Sequence, residues 1–157
     1  MFTPPPAAER PIEISVPRHT AESCIKDAAY FFGIDPDITR TVFYDNEGGK
    51  IGTFSKNKNG TYDIGPAQIN SSNIPEIKSN FPRVTWQVLA YDACASYWVG
   101  TWWLYKKIQA RKGNVFEGVG DYNSRTPKVR VRYIVNFMNS YNKRLVESRR
   151  LDYVAKW

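Results

Sequence analysis

The stretch Asp45–Ser72 is DNEGGKIGTFSKNKNGTYDIGPAQINSS. Asn59-Gly60 is a strong type I′ turn signal, flanked by short polar and β-branched pieces. The pattern predicts a small, poorly hydrophobic hairpin over residues 51–64. On its N-terminal side, Asp35-Pro36 is a helix start, a cap followed by proline at the first helical position. That helix is expected to run through Ile38 and Val42 to about Asn46. Glu47 therefore ends a helix, and Gly48-Gly49 turn the chain away.

Helical signals surround this insertion. Thr20 is the expected N-cap of a first helix, in which Ala21, Cys24, Ile25, Ala28, Ala29 and Phe32 recur at helical spacing before Gly33 stops it. Short helical pieces are predicted at 66–72, 75–80 and 85–91. A longer one spans 93–112, capped by Asp92 and stopped by Gly113, with Cys94, Trp98, Val99, Trp102 and Tyr105 on one stripe. The last helix begins at Thr126-Pro127. It turns Val129, Tyr133, Ile134, Phe137, Met138, Tyr141 and Leu145 inward, with Lys128, Arg130, Arg132, Lys143 and Arg144 on a basic outer face. Residues 1–18 hold five prolines and no periodicity, which reads as a tail. The expected organisation is a tail over 1–18, one domain over 19–148 and a C-terminal tail over 149–157. The class is α+β, mainly α, with one β-hairpin inserted after the second helix.

The 157 residues favour a single domain with a real core, and 42% hydrophobic residues exclude a disordered chain. A net charge of +7 fits nucleic acid, a membrane surface or an anionic polymer such as cell wall. The basic residues are dispersed and no nucleic-acid motif appears, so nucleic acid is not an expected partner. No apolar run is long enough for a membrane span. MFTPPPAAER lacks the basic and apolar regions of a signal peptide, which points to a cytosolic protein or to a mature form. The single histidine, His19, argues against a histidine-based triad and most zinc hydrolases. No metal and no cofactor are expected. Cys24 and Cys94 both fall on apolar stripes and can meet in the core. The pattern alone leaves open a bridge or two buried thiols.

Glu47 stands out by its setting. The negative end of a helix dipole disfavours its charge and pushes its pKa up. The following glycines permit close approach of a ligand or another backbone segment. A carboxylic acid still protonated near neutral pH is what glycosidic bond cleavage needs, because the leaving oxygen must receive a proton.

The succession EGG (47–49), NKNGTYDIGPAQIN (57–70), Cys94, VG (99–100) and VGDYNSRTP (119–127) resembles the lysozyme-like lytic transglycosylases. The closest subgroup is the small specialised enzymes that accompany type IV secretion, conjugation and pilus systems. The match runs in order from about Thr20 to Tyr141. It implies a lysozyme-like fold and cleavage of the MurNAc-β-1,4-GlcNAc bond of peptidoglycan with formation of 1,6-anhydro-MurNAc, opening the cell wall locally for a secretion or conjugation apparatus. Carried over by position, Glu47 is the catalytic acid/base. Gln68 and Asn70 are substrate-side residues, Gln68 beside the reacting sugar and Asn70 bracing the loop. Tyr122 and Asn123 face the glutamate, with Tyr122 able to hydrogen-bond its carboxyl. Asp63 is read as a structural acceptor for backbone N–H groups of the hairpin.

The resemblance also implies a periplasmic or cell-envelope location, where a Cys24–Cys94 bridge is favoured. The expected partners are peptidoglycan glycan strands and secretion or conjugation proteins, and the expected state is a monomer. Trp98, Trp102 and Trp103 are read as core, and the basic face of the last helix as solvated surface. The chain departs from the family pattern at Gly48, where a serine is usual, at Ala67, where methionine is usual, and at Asp121, where a small residue is usual. Ala67 is expected to open volume in the cleft. Asp121 is expected to raise the pKa of Glu47 or to repel anionic substrate. A muramidase on the same fold and a non-catalytic peptidoglycan-binding assembly module are the alternatives.

Overall fold

The computed structural model describes residues 2–46, 49–124 and 126–155. Glu47 and Gly48 lie outside the described residues. The protein is mainly helical, with two small antiparallel sheets. The elements in chain order are β1 (Ile14–Ser15), α1 (Arg18–Phe32), α2 (Pro36–Arg40), β2 (Lys50–Ile51), β3 (Phe54–Lys56), β4 (Tyr62–Ile64), β5 (Ile69–Asn70), α3 (Ile74–Asn80), α4 (Trp86–Tyr91), α5 (Ala93–Ala110), α6 (Val115–Asn123) and α7 (Pro127–Ala155).

Several boundaries follow the local signals. Gly33 ends α1 in the left-handed conformation. Asp35 caps α2 by accepting from the Asp37 amide, with Pro36 at the first position. Asp92 caps α5 by accepting from the Ala95 amide. Beyond α2 the helix widens into a π turn over Thr41–Asn46, a rare geometry that is frequent at functional sites.

Other elements differ from expectation. The first helix opens at Arg18 after Pro17, not at Thr20. Residues 66–70 are not helical: a turn at 65–68 leads into β5, which joins β3 and β4 in a three-stranded sheet, and a 3-10 turn follows only at Ser71–Asn73. The hairpin turn is not type I′, because Gly60 takes a positive φ while Asn59 does not. The Gly60 amide instead donates to the Asn57 carbonyl, and the loop closes between Asn57 and Thr61. This is a type I turn with a left-handed residue after it, and only glycine is needed there. Helix α6, not anticipated, holds two glycines in its interior. Helix α7 continues through Ala155, so 149–155 prolong the helix and are no tail.

Residues 2–16 are not a free tail either. The Phe2 ring meets Trp86 at 5.7 Å and Phe54 at 6.4 Å. Strand β1 pairs with β2, Ile14 opposite Ile51 and Ser15 opposite Lys50. The Val16 amide donates to the Gly49 carbonyl at 2.9 Å.

The core joins Ile25 of α1, Phe43 of the π turn, Ile64 of β4, Leu89 of α4, Tyr97 and Leu104 of α5, Val119 of α6 and Phe137 of α7, all with no exposed surface. Helix α5 is central, packed along α1 and α6. Its buried side chains include Tyr97, Val99, Thr101, Leu104 and Ile108; of the predicted stripe only Val99 is buried, while Trp98, Trp102 and Tyr105 are half-buried and Cys94 is exposed. A helix covered from several sides has no single dry stripe for periodicity to reveal. On α7, Phe137 is buried, but Val129 and Met138 are exposed where an inward position was expected. Cys24 and Cys94 form a disulfide joining α1 to the start of α5, with Cα atoms 5.1 Å apart. Cys94 is exposed, so the bridge sits at the edge of the core and not inside it.

Candidate functional site

An open cleft of about 330 Å³ lies between the three-stranded sheet on one side and the ends of α6 and α7 on the other. Gln68, Asn70, Tyr122 and Asn123 all line it, as does Asp63. The structure thus brings together all the described residues that the sequence placed at the site. Glu47, the remaining one, lies outside the described residues. Its described neighbours Asn46 and Gly49 close the π turn and precede β2.

The sheet side is a network of amides. Asp63 Oδ1 accepts from Asn57 Nδ2 at 3.2 Å and from Asn70 Nδ2 at 3.1 Å. Asp63 is therefore an acceptor, but for side-chain amides and not for backbone N–H groups. Burial pushes its pKa up, opposed by the two amide donors. Asn70 Nδ2 also reaches Thr61 Oγ1 at 3.0 Å, and its Oδ1 accepts from the Ser72 amide at 2.9 Å. Asn70 thus braces the loop, with both ends of its side chain committed to the protein.

Gln68 adopts a positive φ of 51°, uncommon for a residue with a side chain. Its Nε2 donates to the Gly65 carbonyl at 2.9 Å and to Thr53 Oγ1 at 3.1 Å. With its donors engaged, what the side chain offers a ligand is the acceptor Oε1.

The opposite wall is held against this loop by Tyr122. Its hydroxyl donates to the Ala67 carbonyl at 3.0 Å, and its ring stands edge-on to Phe43 of the π turn at 5.4 Å. Three distant segments meet there: the π turn, the GPAQIN loop and the end of α6. Ala67 itself is fully buried, and a Cβ on Gly100 of α5 would lie only 2.9 Å from its Cβ. The small side chain is required by the close passage of α5 and does not open the cleft.

Asp121 does not act as expected. Arg111 grips it through Nε at 2.6 Å and Nη2 at 3.0 Å, and Arg130 Nε donates to it at 3.0 Å. These guanidiniums, Arg111 foremost, hold its carboxyl down at about 2. A charge matched by two arginines neither raises the pKa of a neighbouring acid nor repels an anion. Arg130 also pairs with the Glu117 carboxylate, and Arg144 binds Asp45 at 3.0 Å and Glu22 at 3.2 Å. Two members of the predicted solvated basic face are thus structural.

Trp103, read as core, is half-buried and lines the cleft, with Lys106 and Lys107 ammonium groups 5.2 and 5.1 Å from its ring centre. Adjacent residues on a helix point about 100° apart, so Trp102 and Trp103 cannot share one stripe. That spacing was the signal. Asn57, Asn59 and Thr61 also line the cleft without having been anticipated. The missing apolar alternation in NKNGT was their only trace.

No family model matches the chain. It is similar to the Invasion protein IagB of Salmonella typhimurium, 29% identical over 124 residues that cover 76% of this chain and 76% of that protein. The Invasion protein IagB of Salmonella typhi is likewise 29% identical over 124 residues, with the same coverage. Among the described residues, no helix is long and apolar enough to cross a membrane.

Proposed function

We propose that the protein is a lysozyme-like lytic transglycosylase that cleaves the MurNAc-β-1,4-GlcNAc bond of peptidoglycan. The observation that carries this reading is the Tyr122–Ala67 hydrogen bond, which joins the GPAQIN and DYN segments as two walls of one cleft beside the π turn that leads to Glu47. The amide- and hydroxyl-rich lining, with the indole of Trp103, suits a saccharide. The similarity to proteins named for invasion fits the accompanying proposal that the enzyme opens the wall for a secretion or conjugation apparatus. The Cys24–Cys94 bridge fits an oxidising compartment such as the periplasm.

In this reading Glu47 protonates the bridging oxygen, and the bond from that oxygen to C1 of MurNAc breaks. Positive charge on the muramoyl ring is stabilised by its own acetamido group. The Glu47 carboxylate then takes the proton of the same sugar's 6-hydroxyl, whose oxygen bonds to C1. The product is a 1,6-anhydro sugar, and no water is consumed. Tyr122 favours the first step. Its proton is committed to Ala67, so its hydroxyl meets a carboxyl as an acceptor, and only the protonated acid donates to it. The substrate supplies its own nucleophile, so a second free carboxylate is not needed. Asp63 and Asp121 are both engaged within the protein, in keeping with a one-acid mechanism.

Digestion of purified peptidoglycan tests the reading. The wild type is expected to release anhydro-muropeptides, identified by mass, and Glu47→Gln to release none while keeping its fold. Products one water heavier would make the enzyme a muramidase. Tight binding to sacculi without release would make it a binding module.

A further inference from the structure

Helix α7 has an outer face that the cleft does not use. Two of its five cations in the 128–144 stretch turn inward: Arg130 to Glu117 and Asp121, Arg144 to Glu22 and Asp45. Lys128, Arg132 and Lys143 stay exposed, and among the described residues none of the three joins an ion pair with a carboxylate. Beside them the helix leaves apolar side chains in solvent. Val131 is 57% exposed, Val135 and Met138 50%, and Val146 55%. At about 100° per residue these four fall within roughly 80° of arc, and the exposed Asn142 fills the gap before Val146. One such side chain alone is ordinary surface, whereas four in a row along a helix make a contiguous patch.

The patch leads away from the cleft. Val129, which lines the cleft, sits roughly 140° round the helix from the centre of the stripe. A ligand on the stripe therefore need not enter the cleft.

The width of the stripe and the sign of its border decide what fits. A narrow row with three- and four-residue spacing matches the seam between two packed helices. A helix that lies on a membrane carries Trp, Phe or Leu on its apolar face, and this stripe offers only valine and methionine. A second copy of the chain would bring Lys128, Arg132 and Lys143 against their own kind. Glu147 is the one exposed carboxylate among the described side chains of α7, too few to offset that repulsion.

We propose that the outer face of α7 is a docking surface for an acidic amphipathic helix of a partner protein. The partner's apolar residues sit on Val131, Val135, Met138 and Val146, and its Asp or Glu side chains face Lys128, Arg132 and Lys143. Apolar contact supplies the affinity, and charge selects the partner and sets its register. The surface stands apart from the cleft and does not depend on the reaction proposed there.

The probe is a fluorescent designed peptide of about 20 residues, a helix with leucine in a three–four row and glutamate beside it. Its control carries lysine at every glutamate position. Binding to the full chain is read by fluorescence anisotropy at about 0.15 M salt. The acidic peptide is expected to bind with a micromolar Kd, and the lysine peptide at least about tenfold more weakly. Val135→Ser with Met138→Ser, both at exposed positions, is expected to weaken the acidic peptide roughly tenfold with the near-ultraviolet circular dichroism unchanged. Arg132→Glu with Lys143→Glu is expected to weaken it as much and to gain the lysine peptide. No binding of the acidic peptide, equal binding of both peptides, or wild-type binding by the folded double serine variant overturns the proposal. So does binding to phosphatidylglycerol vesicles that the serine variant loses, which would make a membrane the occupant. A dimer in sedimentation that the serine variant dissolves would make it a second copy, and overturns the proposal equally.

Discussion

The Tyr122 hydroxyl and the Ala67 carbonyl, 55 positions apart, are joined by a 3.0 Å hydrogen bond. It crosses from the end of α6 to the loop before β5 and fixes the width of the cleft. Ala67 has no exposed surface, so its carbonyl finds no water if the hydroxyl is lost. Tyr122→Phe is expected to cost about 1–3 kcal/mol in urea unfolding. Under the proposed function, glycan cleavage should fall further than stability explains, because Gln68 rides on the same loop.

Asp121 predicts the acid behaviour of the fold. Its carboxyl is held at about 2, below the ordinary carboxylate range, by Arg111 and then Arg130. A depressed folded value means stability that is fully present above the unfolded value, near 4, and lost as pH falls toward 2. Asp121→Asn should flatten the stability curve in that window. At neutral pH it should cost on the order of 3 kcal/mol, because Arg130 is left largely buried with only Glu117. Urea midpoints measured from pH 2 to 7 check both statements.

The Cys24–Cys94 bridge closes a loop of 70 residues. In the chain-entropy account it contributes about 4 kcal/mol by restricting the unfolded chain. Reduction, or Cys94→Ser, should lower the melting temperature strongly while leaving the folded cleft and any glycan cleavage intact at low temperature.

Asn70 ties three groups together with one side chain: Asp63, Thr61 and the Ser72 amide. Asn70→Ala should cost about 2–3 kcal/mol, since it leaves a carboxylate half-satisfied and uncaps the turn at Ser71–Asn73. Amide hydrogen exchange is expected to rise first in β4 and β5.

Much of this architecture was legible locally. Asp35-Pro36, Gly33 and Asp92 punctuate the helices because caps act on the adjacent backbone and need no tertiary context. Gln68, Asn70, Tyr122 and Asn123 converge on one cleft as the motif order implied. What stayed hidden depends on distant partners. Helix α6 carries Gly118 and Gly120, poor helix formers by propensity, and a Cβ at Gly118 would fall 2.5 Å from Ile108 Cγ1. There the tight contact with α5 decides, not the local preference. Arg130 and Arg144 look like surface charges by periodicity and are turned inward by Asp121, Asp45 and Glu22. Trp103 escaped because a tryptophan pair was read as one stripe.

The pairing of β1 with β2 makes residues 2–16 a splint for the segment that enters the sheets at Gly49 and Lys50. Val16 grips Gly49 on the far side of Glu47, while Phe2 is pinned under Trp86. A shortened protein starting at Pro17 would retain its helical body yet lose the clamp downstream of the glutamate. Under the proposed function, the rate of glycan cleavage, more than the melting temperature, would register the loss.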